Sequence, residues 1–176
     1  MSKQNVLRSD RVVFLDIDGV LNSLPFIRSV KGQERLLSHL DPNAVRIFSD
    51  MIRVTGADVV LSSSWRIIVK LPQMSAWLRE RGFTGRLIGS TPSDVRVPGK
   101  VTTPRGLEIQ RWLDLYGAKV ESFVILDDES GMEHLADRHV KTDMNVGLTT
   151  DHCALAIKML REPHRAGPQK HSRTGC

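Results

Sequence analysis

The sequence predicts an α/β protein built on a doubly wound parallel sheet in three α/β/α layers, on three observations. Apolar runs of strand length alternate with helix-length amphipathic segments, the order that produces βαβ units with right-handed crossovers. Those runs are apolar throughout rather than at every second residue, as in strands covered on both faces. Three of them end in residues able to bind or attack an anion, Asp16 and Asp18, Ser62 and Ser63, and Asp127 and Asp128. Open α/β sheets bind ligands beyond the carboxyl ends of their strands.

The first run, VVFLDIDG from Val12 to Gly19, is β-branched and aromatic and suits a buried strand. Asp41-Pro42-Asn43 then starts a helix, with Asp41 as N-cap and Pro42 at the first helical position. Val45, Ile47, Phe48, Met51 and Ile52 mark its buried stripe, and it ends near Gly56. ADVVLSSSW is the second buried strand, followed by a helix carrying Met74, Trp77 and Leu78 that closes before Gly82. Leu87 and Ile88 form a short third strand running into Gly89-Ser90-Thr91-Pro92, and the segment to Val101 reads as a loop. Thr103-Pro104 opens a helix through Ile109, Trp112 and Leu113 that stops at Gly117. SFVILDDE is the fourth strand, His139 to Lys141 adds an edge strand, and Thr149 caps a last helix from Asp151 to about Arg161. Residues 1–162 therefore read as one domain, and 163–176, with Pro163, Gly167 and Pro168 in a polar context, as a basic disordered tail.

At 176 residues the chain can bury a core without disulfide or metal staples. It contains no apolar run long enough to span a bilayer, and Met1 to Asp10 lacks the apolar stretch of a secretory signal. No membrane partner is expected. Its two cysteines, Cys153 and Cys176, have no spacing that suggests a zinc site or a disulfide framework, so a cytoplasmic setting is expected. The formal charge of +5, with 25 Lys and Arg against 20 Asp and Glu, is concentrated between Lys158 and Arg173. Such charge gathers polyanions; a merely solvated basic end is the alternative.

Carboxylates gathered at strand ends repel one another, which raises their pKa values unless a cation neutralises them. All the candidate ligands are oxygens, unaccompanied by a cysteine or histidine cluster, which favours Mg²⁺ over zinc. Asp-x-Asp sets Asp16 and Asp18 on one side of an extended segment, and Gly19 lets the backbone turn closely around a ligand. Taken alone, Asp-x-Asp-Gly is also a turn or an irregular calcium loop. The apolar strand before it argues for catalysis, and Gly19 comes fourth, whereas an EF-hand glycine comes sixth. Ser62 and Ser63 read as a strand end, a helix N-cap or a phosphate cradle, and Asp127-Asp128 as a helix cap or a metal ligand pair. Their convergence at three strand ends favours the chemical readings.

These residues resemble the haloacid dehalogenase (HAD) superfamily of phosphohydrolases, whose motifs run Asp-x-Asp, Ser or Thr, Lys or Arg, then an acidic pair. Here they read FLDIDGVLNS, VVLSSSWR, a basic residue and VILDDE, within Val12 to Leu148. SSSWR, IGSTP, RGLEIQRWL and ILDDE look like the HAD domain of Swiss Army Knife RNA-repair proteins. The resemblance implies a HAD-like, Rossmannoid fold with Asp16 as the nucleophile, forming an aspartyl-phosphate, and Asp18 as the general acid and base. It also implies that Ser62 or Ser63, with Gly19, holds the phosphoryl group, and that Asp127, helped by Asp128, Asp16 and the Asp18 backbone carbonyl, holds Mg²⁺. The basic residue is Lys100 or Arg105. Arg105 is preferred because it opens a helix, where a cation sits poorly unless an anion is near. Trp65 and Arg66 either shape the substrate mouth or, for Trp65, fill the core; Trp77 and Trp112 are expected in the core. The short insertion near Asn22 to Leu40 leaves room only for a minimal cap, which in this superfamily suits macromolecular substrates. The expectation is a phosphatase acting on RNA or DNA ends. The alternatives are a nucleotide or small-metabolite phosphatase, and a non-catalytic module that binds a phosphorylated ligand.

Overall fold

The computed structural model describes residues 9–30, 39–93 and 103–163; Lys100, the expected loop to Val101 and nearly all of the expected basic tail lie outside them. Strand β1 (Arg11–Leu15) is followed by a short helix α1 (Leu24–Ser29), then α2 (Pro42–Thr55), β2 (Asp58–Leu61), α3 (Leu71–Glu80) and β3 (Arg86–Ser90). Beyond these come α4 (Arg105–Tyr116), β4 (Ser122–Asp127), β5 (His139–Lys141) and α5 (Thr150–Arg161). All pairings are parallel, in the order β3-β2-β1-β4-β5.

The caps follow from the sequence. Asp41 Oδ1 accepts from the Asn43 amide at 2.8 Å, and Gly56 closes α2 at φ 65°, a left-handed C-cap conformation that glycine adopts without a Cβ penalty. Thr149 and His152 form a reciprocal capping box on α5. Helix α1 was not foreseen: at six residues with Pro25 in its first turn and none of its residues buried, it carries no apolar periodicity to read. The short 3₁₀ turns at Ser64–Ile67 and Glu133–Arg138 were likewise not foreseen.

Both faces of the sheet are covered, which is why its strands are apolar throughout. Val13, Leu15, Val59, Leu61, Val124 and Leu126 pack with α2, α3 and α5 on one side. Val12, Phe14, Val60, Phe123 and Ile125 pack with Ile109, Trp112 and Leu113 of α4 on the other. Phe14 meets Trp112 and Phe123 edge-on at 5.4 and 5.8 Å. Each such buried side chain stabilises the fold by about 1.5–3 kcal/mol. Trp77, by contrast, is only half-buried. No helix among the described residues is long and apolar enough to cross a membrane.

From β1 the chain moves outward to β2 and β3, then returns across the sheet to β4 and β5. The winding direction therefore reverses between β1 and β4, the place where open α/β sheets form a ligand crevice.

Candidate active site

Strand register brings the chemistry together. Leu15 pairs with Leu126 and with Leu61, so the residues that follow, Asp16, Asp127 and Ser62, lie level at the carboxyl edge. The ladder continues into them: the Asp16 amide donates to Leu126 O at 3.0 Å and the Ser62 amide to Leu15 O at 2.8 Å. One carboxylate oxygen each from Asp16, Asp127 and Asp128 lies within 4.8 Å of the others.

Gly19 explains how Asp128 joins them. The chain turns back after β1, with the Gly19 amide donating to Asn22 O at 2.8 Å, and Gly19 takes φ 74°. A Cβ at this position would collide with the Asp128 carboxylate. Gly19, expected to help hold the phosphoryl group, is also the surface against which the Asp128 side chain rests. The Gly19→Ala protein is expected to lose about 1–3 kcal/mol of stability and to bind Mg²⁺ more weakly, as read by thermal melting and calorimetric titration.

Arg105 opens α4, and its guanidinium lies 3.4 Å from Asp127 and 4.0 Å from Glu129, with its side chain 9% exposed. Gly106 makes this approach feasible: its amide donates to Gly131 O, and a Cβ there would lie 2.5 Å from Met132 O. Helix α4 thus starts hard against the turn that follows Asp127 and Asp128. Glycine inside a helix is otherwise unfavourable, so this residue was a sequence signal for Arg105.

The electrostatics are those of a site short of positive charge. Burial, against the opposing attraction of Arg105, raises the Asp16 pKa from 3.8 to about 6. Burial and then the charge of Asp16 raise Asp127 to about 7, and burial raises Asp128 as well. Ser63 donates a side-chain hydrogen bond to Asp16, which favours its ionised form, while Ser62 Oγ is buried with no partner. Asp127 Oδ2 is buried and accepts no hydrogen bond, its nearest cation being Arg105 Nε at 3.4 Å. An oxygen-only donor set with an unsatisfied buried carboxylate oxygen fits a hard divalent cation such as Mg²⁺.

Asp18 stands apart from the acidic cluster. Trp65 Nε1 donates to its Oδ2 at 2.8 Å, so its carboxylate is engaged by the indole rather than by the cluster. Trp65 is buried and also fills the core. Arg66 departs from the expectation of a charge at the substrate mouth. Its side chain is 6% exposed and ion-paired with buried Glu108 of α4, and it donates to Ser62 O at 3.0 Å and Ser63 O at 2.6 Å. A guanidinium with an acidic partner inside the fold has no reason to turn outward. Neither partner of Trp65 or Arg66 is near in sequence, and periodicity does not reveal such pairs.

The model of the HAD domain in Swiss Army Knife RNA repair proteins matches residues 12–153. No curated protein matches the chain. The matched span contains Asp16, Ser62, Arg105 and Asp127 together with the whole parallel sheet that aligns them, and the chain belongs to this family of HAD domains.

Proposed function

We propose that the chain is a Mg²⁺-dependent phosphomonoesterase that works through an aspartyl-phosphate and acts on phosphorylated RNA or DNA ends. The observation that carries this reading is the level placement of Asp16, Asp127 and the unpartnered Ser62 hydroxyl on three adjacent strands. A nucleophile, a cation ligand and a phosphoryl-oxygen donor thereby face one point, and phosphoryl transfer depends mostly on such positioning and charge neutralisation.

The Asp16 carboxylate attacks phosphorus; an O–P bond forms as the bond to the leaving oxygen breaks, and Asp18 gives that oxygen its proton. Asp18, now ionised, takes a proton from the water that attacks the aspartyl-phosphate. The bond between Asp16 and phosphorus breaks and inorganic phosphate departs. Ser62 Oγ donates to a phosphoryl oxygen, and Arg105 supplies a fixed cation beside it. Ser62 suits this role better than Ser63, whose hydroxyl donates to Asp16 and accepts from the Trp65 amide. Asp127, Asp128 and Asp16 would hold Mg²⁺, which supplies neutralisation of the gathered negative charge.

Three features favour nucleic-acid ends over small metabolites. The matched family comprises domains of RNA repair proteins, the formal charge is +5, and only the segment from Ser23 to Leu40 separates the Asp16 turn from α2. Asn22 gathers the ends of that segment, donating to His39 O at 3.1 Å and accepting from the Asp41 amide at 3.2 Å.

The test is phosphate release from an aryl phosphate and from 3′- or 5′-phosphorylated oligonucleotides, with Mg²⁺ or with chelator. Release is expected to require the metal and to fall about a thousandfold or more in Asp16→Asn. Release that survives the substitution overturns the mechanism. Rapid turnover of mononucleotides with the oligonucleotides untouched overturns the substrate class.

A further inference from the structure

We propose that Trp65 is a positioning residue for Asp18, an inference that rests on the phosphatase reading above: its indole N–H decides which oxygen of the Asp18 carboxyl carries the transferable proton and keeps that side chain off the cation.

Trp65 is clamped from several directions. Its amide donates to Ser63 Oγ at 3.3 Å, it lies in the 3₁₀ turn Ser64–Ile67 that follows β2, and its ring stands edge-on to Trp77 at 6.5 Å. Only 8% of the residue is exposed. A buried indole needs an acceptor, and a backbone carbonyl or a water would serve. Here the acceptor is Asp18 Oδ2 at 2.8 Å, contributed from the turn after β1. Two rigid elements at the carboxyl edge of the sheet thus meet through this bond.

The indole is a donor only. An oxygen that receives its hydrogen cannot also direct a proton along that line, so Oδ1 is the oxygen left free to exchange a proton with the leaving group. In the second half of the reaction the same oxygen takes a proton from the attacking water. A second consequence concerns the metal. Asp18 is only half-buried and lies two residues from Asp16, yet its carboxylate is not part of the acidic cluster. The bond to Trp65 holds the Asp18 carboxyl group outside that cluster and turned to the indole.

The experiment uses the full chain with Mg²⁺ and compares kcat/KM for an alkyl phosphate with that for a nitrophenyl phosphate, in wild type and Trp65→Phe. Phenylalanine keeps an aromatic ring in the core but has no N–H. An alkoxide needs its proton to leave, whereas nitrophenolate leaves as a stabilised anion, so misplacing the acid penalises the alkyl ester selectively. The alkyl-to-aryl ratio is expected to fall about tenfold to a hundredfold. An equal loss on both esters, which a purely structural role would produce, overturns the inference. A readout independent of turnover accompanies it: in ¹⁵N NMR the indole signal missing from Trp65→Phe should exchange slowly in wild type, and should shift and lose protection in Asp18→Ala. An indole signal indifferent to Asp18 also overturns the inference. Wild type that cleaves neither ester overturns the phosphatase reading and this role with it, and is distinguishable from a discriminating wild type whose ratio Trp65→Phe leaves unchanged.

Discussion

With chelator present at pH 8, the Asp127→Asn protein is expected to be more stable than wild type by on the order of 2 kcal/mol, while its phosphatase activity falls at least about a hundredfold. Asp127 is completely buried and its pKa is raised to about 7, first by burial and then by the neighbouring charge of Asp16. Asp16 is raised to about 6, chiefly by burial. A carboxyl group whose folded-state pKa exceeds its unfolded value contributes stability that is present below pH 4 and lost as pH rises through the folded pKa. Wild type without metal should therefore melt progressively lower from about pH 4 to pH 8, as first Asp16 and then Asp127 ionise inside the fold. Asparagine at 127 removes the later part of that loss, so the two melting curves should coincide near pH 4 and separate as pH rises.

Arg105 opposes this, since its guanidinium faces Asp127 at 3.4 Å. It is one cation near Asp16, Asp127, Asp128 and Glu129, and it cannot neutralise them all. Added Mg²⁺ should restore the wild-type melting temperature by mass action, with little effect on Asp127→Asn. Its affinity should rise between pH 5 and pH 8, because binding displaces protons from the carboxyl groups. A variant less stable than wild type at pH 8 in chelator would show that Arg105 holds the Asp127 charge favourably and that no cation is demanded.

The sequence carried the sheet because its central strands β1, β2 and β4 are buried on both faces, and it carried Asp16 and Asp127 because each follows an unbroken apolar run. Asp41, Gly56 and Thr149 marked helix ends for the same kind of local reason: a cap acts within a few residues. What escaped was non-local. The bond between Trp65 and Asp18 spans 47 positions and the pair of Arg66 and Glu108 spans 42, and both depend on which strands become neighbours. A tryptophan after three serines therefore looked like core or like a substrate platform. It is core whose polar edge reaches the proton carrier. Gly106 was legible in principle, since a glycine at the second position of a helix calls for a close approach, and the backbone it meets at Met132 is what brings Arg105 beside Asp127.

Arg66 separates stability from activity in a way that can be measured. Replacing it by methionine is expected to cost about 3–5 kcal/mol in a urea titration, because the Glu108 charge would stay buried after its cation is removed. Burial already pushes the guanidinium pKa down, with Glu108 pulling against that shift. Removing both charges together, in Arg66→Met with Glu108→Leu, should recover most of the loss, since apolar replacements of a buried pair are often neutral. Turnover should not recover with it. The Arg66 guanidinium also holds the carbonyls of Ser62 and Ser63, the loop whose hydroxyls serve the phosphoryl group and Asp16, and the double variant lacks those bonds as fully as the single one. A stable double variant with reduced kcat/KM would assign the ion pair to folding and the carbonyl contacts to the alignment of the serine loop. A double variant with wild-type kcat/KM would show that β2 and its turn hold the serines unaided.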